Sequence, residues 1–147
     1  MNSLQWAVKR ASPNVVAYLL TRQSLDLQKF MEQHTTLPPP LCLAAIAGNP
    51  YMIVLLLHCG ADITATTFQG QSVLHLLAKS GCPPAEIDLA HILIQKGAKV
   101  DAKDNGGLTP FDWAVIFQNF VLATTLLKHG AIAISLDSQV CFYTFLT

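Results

Sequence analysis

The sequence predicts an all-α solenoid of about four helix-turn-helix units, joined by short loops that resemble β-hairpins. Two short patterns carry this prediction, because each recurs in the same order along the 147 residues. The composition agrees with it. Hydrophobic residues make up 52% of the chain and charged residues 12%, which is too apolar for a disordered segment.

The first pattern is a Gly-Ala step that follows an apolar pair. Its glycines are 37 and then 33 residues apart. Recurrence at this spacing is typical of stacked repeats, in which each repeat is one supersecondary unit. The three steps are Gly60-Ala61, Gly97-Ala98 and Gly130-Ala131, and the pairs before them are Leu56-Leu57, Leu93-Ile94 and Leu126-Leu127.

The second pattern is an apolar stretch with small residues that precedes each step. Gly48 and Gly81 follow the first two copies, and Gln118 takes that place in the third. A degenerate fourth copy opens the chain at residues 4–8. The clear copies begin at Pro39, Ser72 and Thr109 and include Ala44, Ala45, Ala78 and Ala114.

Each unit has the signals of two helices. Ser72 or Thr109 can cap the first helix, and Pro110 suits a first helical position, where no N–H is required. A glycine such as Gly48 ends that helix because it adopts positive φ without strain. Second helices are predicted at 51–58, 85–96 and 120–128. The alternating stretches 61–65 and 98–102 then predict hairpin arms, with turns at 69–70 and 104–107.

This order of elements, with a stretch from Ser72 to Ala78 that is similar to T-P-L-H-x-A, resembles the ankyrin repeat family. The resemblance covers about residues 3–133. His75 occupies the histidine position of the motif, and Gln5, Cys42 and Asp112 replace it in the other units. At that position we expect the imidazole to bond backbone near the helix start.

The resemblance implies one ankyrin domain at 1–138, with approximate repeats at 1–34, 35–68, 69–105 and 106–138. An apolar tail follows at 139–147. Two interpretations of the tail stay open. It folds back over the last helix pair, or the array is part of a longer one and this end self-associates.

The family's binding surface lies on the hairpin tips and on the inward face of the first helices. Aromatic groups on such a surface are candidate interface anchors. The alternative for Ile116 and Phe117 is packing against the tail or a hairpin. The corresponding tip residues here are Phe68, Gln69, Gln71, Asn105 and Leu108, and the helix residues are Lys9, Arg10, Ile46, Ala47, Lys79, Ser80, Ile116 and Phe117.

No catalytic, cofactor or metal residue is predicted. The sequence contains no Gly-rich phosphate loop, no G-x-S-x-G and no H-E-x-x-H. Asp88 and His91 lie three residues apart on a predicted helix, a spacing that suits one metal, but a solvated polar face explains them without one. His58 beside Cys59 is explained by the end of a second helix.

The remaining features limit the function and the location. Zero formal net charge, with scattered charges, disfavours nucleic acid as a partner. The apolar run from Met52 to Leu57 is far shorter than the roughly 20 residues of a membrane span. No signal peptide is seen, and the four cysteines lack C-x-x-C spacing, so we expect free thiols in a reducing compartment.

The sequence thus predicts a monomeric, non-enzymatic protein-binding module of the cytoplasm or the nucleus. The alternative is a regulatory fragment of a larger protein.

Overall fold

The fold was examined in a computed structural model, which describes residues 38–80 and 85–133 together with Arg10 and Asn14. The side chains of 85–87 lie outside the description. Six helices lie in the described ranges and no strand does. They are α1 (Pro40–Ile46), α2 (Pro50–His58), α3 (Val73–Ser80), α4 (Ala85–Gln95), α5 (Pro110–Ile116) and α6 (Phe120–Lys128).

The helices stack in two layers. In the first layer α1 packs on α3 and α3 on α5, and in the second α2 packs on α4 and α4 on α6. Within each unit the first helix contacts the second. Contacts between corresponding helices of successive units define a solenoid, so the predicted all-α repeat fold is confirmed.

The same helix positions are buried in each unit of the core. Leu41, Leu74 and Phe111 occupy one position of the first helices, and all three are fully buried. Leu56, Leu93 and Leu126 hold the same buried position four residues before each Gly-Ala step. Burying one such side chain contributes about 1.5–3 kcal/mol. Because these side chains join one continuous core, the units stabilise one another.

Local capping explains where the helices begin. Thr109 forms a capping box with Asp112, since the threonine hydroxyl accepts from Asp112 N–H and the Asp112 carboxylate accepts from Thr109 N–H. Asn49 and Asn119 cap α2 and α6 through side-chain oxygens that accept from Met52 N–H and Leu122 N–H, each at 3.1 Å. Sequence reasoning had not assigned a role to these asparagines.

The turn between the two helices of a unit is left-handed. Gly48 has φ +64° after α1, and Gln118 has φ +58° at the same place after α5. In both turns the next asparagine donates its N–H into the preceding helix, to Ala44 O or Ala114 O. The substitution of glycine by Gln118 has therefore kept the turn, in a conformation that strains a residue with a Cβ.

The predicted hairpin arms are tight turns. In finger 1 (residues 61–72) Thr67 N–H donates to Gln71 O at 3.0 Å, and in finger 2 (residues 98–109) Asp104 N–H donates to Leu108 O at 2.9 Å. One such bond closes each tip, which is too little pairing to make a strand. The predicted turn glycines are confirmed, since Gly70 and Gly107 have positive φ.

Several expectations lie outside the described residues. These are the first repeat at 1–34 apart from Arg10 and Asn14, the site residue Lys9, and the tail at 139–147. Arg10 is exposed.

Replacing Gln118 by glycine should stabilise the protein. The change relieves the left-handed strain, which outweighs the added chain entropy of glycine in the unfolded state, and we expect a gain of about 0.5–1 kcal/mol in the free energy of unfolding. Urea denaturation measures it. The reverse change Gly48→Gln, at the equivalent position, should lower stability by a similar amount. Loss of stability in Gln118→Gly would contradict the turn geometry.

Candidate functional site

A row of side chains runs along the first-helix layer. Ile46, Lys79 and Ile116 occupy the same position in α1, α3 and α5, so stacking of these helices aligns them. All three are exposed, Ile46 by 54% and Ile116 by 50%. The next position forms a second row of Ala47, Ser80 and Phe117, in which the phenylalanine is 44% exposed. The predicted helix residues of α1, α3 and α5 thus lie in two adjacent rows along the first-helix layer.

The tip of finger 1 presents an aromatic ring to solvent. Phe68 is 65% exposed and Gln69 is exposed beside it. Gln71 is half-buried, and its Nε2 donates to Gln69 Oε1 at 2.6 Å. Gln71 therefore orders the tip, and Phe68 and Gln69 are the exposed side chains beside it.

Asn105 fastens the two finger tips together. Its backbone N–H donates to Gln69 O at 2.9 Å, and its side-chain Nδ2 donates to Phe68 O at 2.9 Å. A Cβ at Gly70 would lie 2.6 Å from Asn105 Oδ1, so this approach requires glycine. Asn105 is exposed, but the geometry gives it a positioning role.

Leu108 holds finger 2 in place and presents little of its side chain to solvent. Its side chain is half-buried, its N–H donates to Asp104 Oδ1 at 2.9 Å, and its carbonyl contacts the His75 ring. The name candidate face is used below for six exposed residues of the predicted set: Ile46, Phe68, Gln69, Lys79, Ile116 and Phe117.

Trp113 joins the candidate face to the interior. Its ring lies 5.5 Å from Phe117 and 5.7 Å from His75, centroid to centroid. Its indole N–H donates to Asp104 Oδ2 at 3.0 Å, which fixes finger 2 against α5. The sequence predicted Asp104 as a turn residue but not its bond to Trp113, and it gave Trp113 no role.

The Asp104 carboxylate is held ionised by its partners. Burial acts to raise its pKa, but bonds from Leu108 N–H, the Trp113 indole and Gly106 N–H outweigh burial and lower the pKa below the usual aspartate value. Finger 2 is therefore closed around a charged acceptor.

His75 links two successive units. Its Nδ1 accepts from Ser72 N–H at 3.1 Å, so Nε2 carries the proton and donates to Leu108 O at 2.9 Å. The expected bond near the helix start is present, and the bond to the next unit is additional. The ring is fully buried, and burial lowers its pKa below the usual histidine value. The site therefore favours neutral imidazole and offers no free nitrogen for catalysis.

The equivalent positions in the other units behave differently. Cys42 directs its Sγ to Ala65 O at 3.6 Å, and burial raises its pKa to about 12, so the thiol stays protonated. Asp112 belongs to the capping box, and its Oδ1 is buried without a hydrogen-bond partner. Neither group is arranged for nucleophilic or acid–base chemistry.

The polar pair Asp88 and His91 does not gather further ligands. Both residues are exposed, and in the described part of the chain no three His, Cys, Asp or Glu side chains come together. His91 instead contacts His129, with 3.0 Å between Nδ1 and Nε2. That contact was not predictable from local spacing, because the two residues are 38 positions apart.

No helix in the described ranges is long and apolar enough to span a bilayer.

The family of the chain follows from its repeats. A family model of ankyrin repeats, in three copies, matches residues 41–137, which is about two thirds of the sequence. The chain therefore belongs to the ankyrin repeat family, a class of protein-interaction modules.

The chain is similar to parts of three longer proteins. The chain is 34% identical over 118 residues to NF-kappa-B inhibitor delta of Mus musculus, covering 79% of this chain and 32% of that protein. It is 37% identical over 93 residues to phosphocholine transferase AnkX of Legionella pneumophila, covering 63% and 10%, respectively. It is 30% identical over 131 residues to palmitoyltransferase AKR1 of Lachancea kluyveri, covering 89% and 17%. The chain thus spans about a third or less of these relatives.

Acidification should destabilise the protein through His75. The folded state holds the pKa of His75 below its unfolded value near 6.5, so the unfolded chain binds the proton first. The free energy of unfolding should therefore fall as the pH drops below about 6.5. His75→Gln should lower stability at neutral pH by about 1–3 kcal/mol and flatten this pH dependence. Urea denaturation at pH 7.5 and 5.5 tests it.

If His75→Gln kept the wild-type pH dependence, the buried neutral imidazole would not be its source.

Replacing Asp104 by asparagine should loosen finger 2. The amide cannot accept from the indole and from both backbone N–H groups, so at least one bond is lost. We expect a loss of about 1–2 kcal/mol in the free energy of unfolding. Urea denaturation measures the loss, and faster hydrogen exchange at the Trp113 indole reports the broken bond. Lys103→Gln, at the exposed neighbour, should change neither.

Proposed function

We propose that this chain is a protein-binding module that holds a partner through the candidate face. The observation that carries the proposal is the row of Ile46, Lys79 and Ile116, which leaves two isoleucines half-exposed on stacked helices. With Phe68 and Phe117, this face exposes large apolar groups from the units at 35–68 and 106–138.

The energetics favour such a face as an interface. Covering one large apolar side chain contributes about 1.5–3 kcal/mol, and aromatic anchors dominate many interfaces. Phe117 is braced by the Trp113 ring, and Phe68 lies on a tip held by Asn105. Groups that are already ordered lose little conformational entropy on binding.

The charge of the face suggests the chemistry of the partner. Lys79 is the cation in a row otherwise formed by isoleucines. A complementary segment carries an acidic side chain between apolar ones, because burying the lysine without an anion would be costly. We therefore propose a partner segment with apolar residues on both sides of an Asp or Glu, rather than nucleic acid.

The relatives support binding over catalysis. The name of the mouse relative describes an inhibitor, and direct binding is a way in which such a face inhibits. The chain covers only 10% and 17% of the two transferases, so their activities are not transferred to it. We propose a non-enzymatic monomer, and the free thiols of Cys42 and Cys59 suit a cytoplasmic or nuclear location.

A second candidate is a regulatory segment of a larger protein. Its support is the small share of each relative that the chain covers, since repeats of this kind occur there beside much longer sequence. The same face would then bind a neighbouring domain.

Photo-crosslinking tests the proposed face. Benzoylphenylalanine in place of Phe117 should crosslink partners in a cell extract, because that position is exposed among the anchors. The same group in place of Tyr51, which is 82% exposed on the second-helix layer, should capture few of them.

A paired substitution completes that experiment. Ile116→Asp with Lys79→Glu should abolish capture at Phe117, whereas Tyr51→Asp with Val121→Asp should preserve it. Circular dichroism verifies that all variants are folded. Equal capture from both surfaces, or capture unaffected by the first pair, would refute the proposed face.

A further inference from the structure

Two imidazoles from neighbouring units meet on the second-helix layer. His91 lies on α4 and is exposed, and His129 directly follows α6 and is half-buried. Their nearest ring nitrogens, Nδ1 of His91 and Nε2 of His129, are 3.0 Å apart, and the ring centroids are 5.0 Å apart. This pair lies apart from the candidate face and has no role in the proposed function.

The separation of the nitrogens suits a metal ion. Imidazole nitrogens bind divalent transition metals at about 2.0–2.1 Å, so two of them 3.0 Å apart subtend about 94° at the ion. That angle is close to the right angle between neighbouring ligands in octahedral or tetragonal coordination. The rings face each other as hydrogen-bond partners, and a modest rotation at the protein surface would direct both lone pairs to one ion.

Gln95 provides the outer-shell partner that a histidine ligand needs. It lies one helical turn after His91, and its side-chain Nε2 is 2.8 Å from His91 Nε2, so the amide donates to that nitrogen and His91 Nδ1–H donates to His129 Nε2. Metal binding through Nδ1 requires the other tautomer, in which His91 Nε2–H donates to the Gln95 amide oxygen after the amide rotates. Gln95 can therefore bond the His91 ring in either tautomer.

We propose that His91 and His129 form a surface site for a divalent transition-metal ion such as Ni²⁺ or Zn²⁺. In the described ranges no third His, Cys, Asp or Glu joins them, so water fills the other coordination positions. The bound ion connects α4 to the end of α6 and therefore links two successive units. Nitrogen and water ligands favour transition metals over Ca²⁺ or Mg²⁺.

Calorimetry with Ni²⁺ and nitrogen-resolved NMR with Zn²⁺ test this site on the full chain. Ni²⁺ should bind, and either His91→Gln or His129→Gln should weaken that binding at least tenfold. Added Zn²⁺ should shift His91 Nδ1 and His129 Nε2 in long-range ¹H–¹⁵N spectra. His58→Gln, which removes an exposed histidine of another unit, should leave the Ni²⁺ affinity unchanged.

Three results would overturn the site. They are no detectable Ni²⁺ binding at millimolar concentration, wild-type affinity in His91→Gln or His129→Gln, and Zn²⁺ shifts at other ring nitrogens only. Because His91 is exposed and His129 is only half-buried, the variants are expected to fold, and thermal melts without metal verify this.

Discussion

The structure depends on burial of apolar surface between successive units. No helix pair can cover its own apolar flank, so Leu74 and Leu93 of one unit share a core with their counterparts before and after them. This stacking sets the distance between units and aligns equivalent positions. The row of Ile46, Lys79 and Ile116 is therefore a consequence of the core, although none of its members is buried.

Polar contacts add precision to this apolar framework. His75 donates across a unit boundary, Asn105 ties the two fingers, and Asp104 anchors finger 2 to Trp113. A buried polar group without a partner costs free energy, so the bond from the buried His75 ring helps to hold finger 2 in one position on the preceding unit. The His75 ring and the Asp104 carboxylate both contact Trp113 and fix its position. Trp113 in turn packs against the exposed Phe117 ring and limits its movement.

The features predicted correctly from the sequence are those that local patterns encode, above all the positions of the helices. The Gly-Ala steps located the second helices, and the Thr109-Pro110 start located α5. Gln118 showed that register survives the loss of a glycine. Several contacts that were not predicted from the sequence join residues more than thirty positions apart, such as His75 with Leu108 and His91 with His129. Spacing alone does not reveal which exposed polar side chains two adjacent units will bring together.

A spin-label distance tests the stacking most directly. Nitroxides at Ile46→Cys and Ile116→Cys, with the four native cysteines replaced, report on two successive unit steps. Helices pack about 8–10 Å apart, so stacked first helices place these backbones about 16–20 Å apart, and the account predicts a single narrow distribution near that value plus the label arms. A broad distribution, or one centred at a much longer distance, would show that the units do not pack in register.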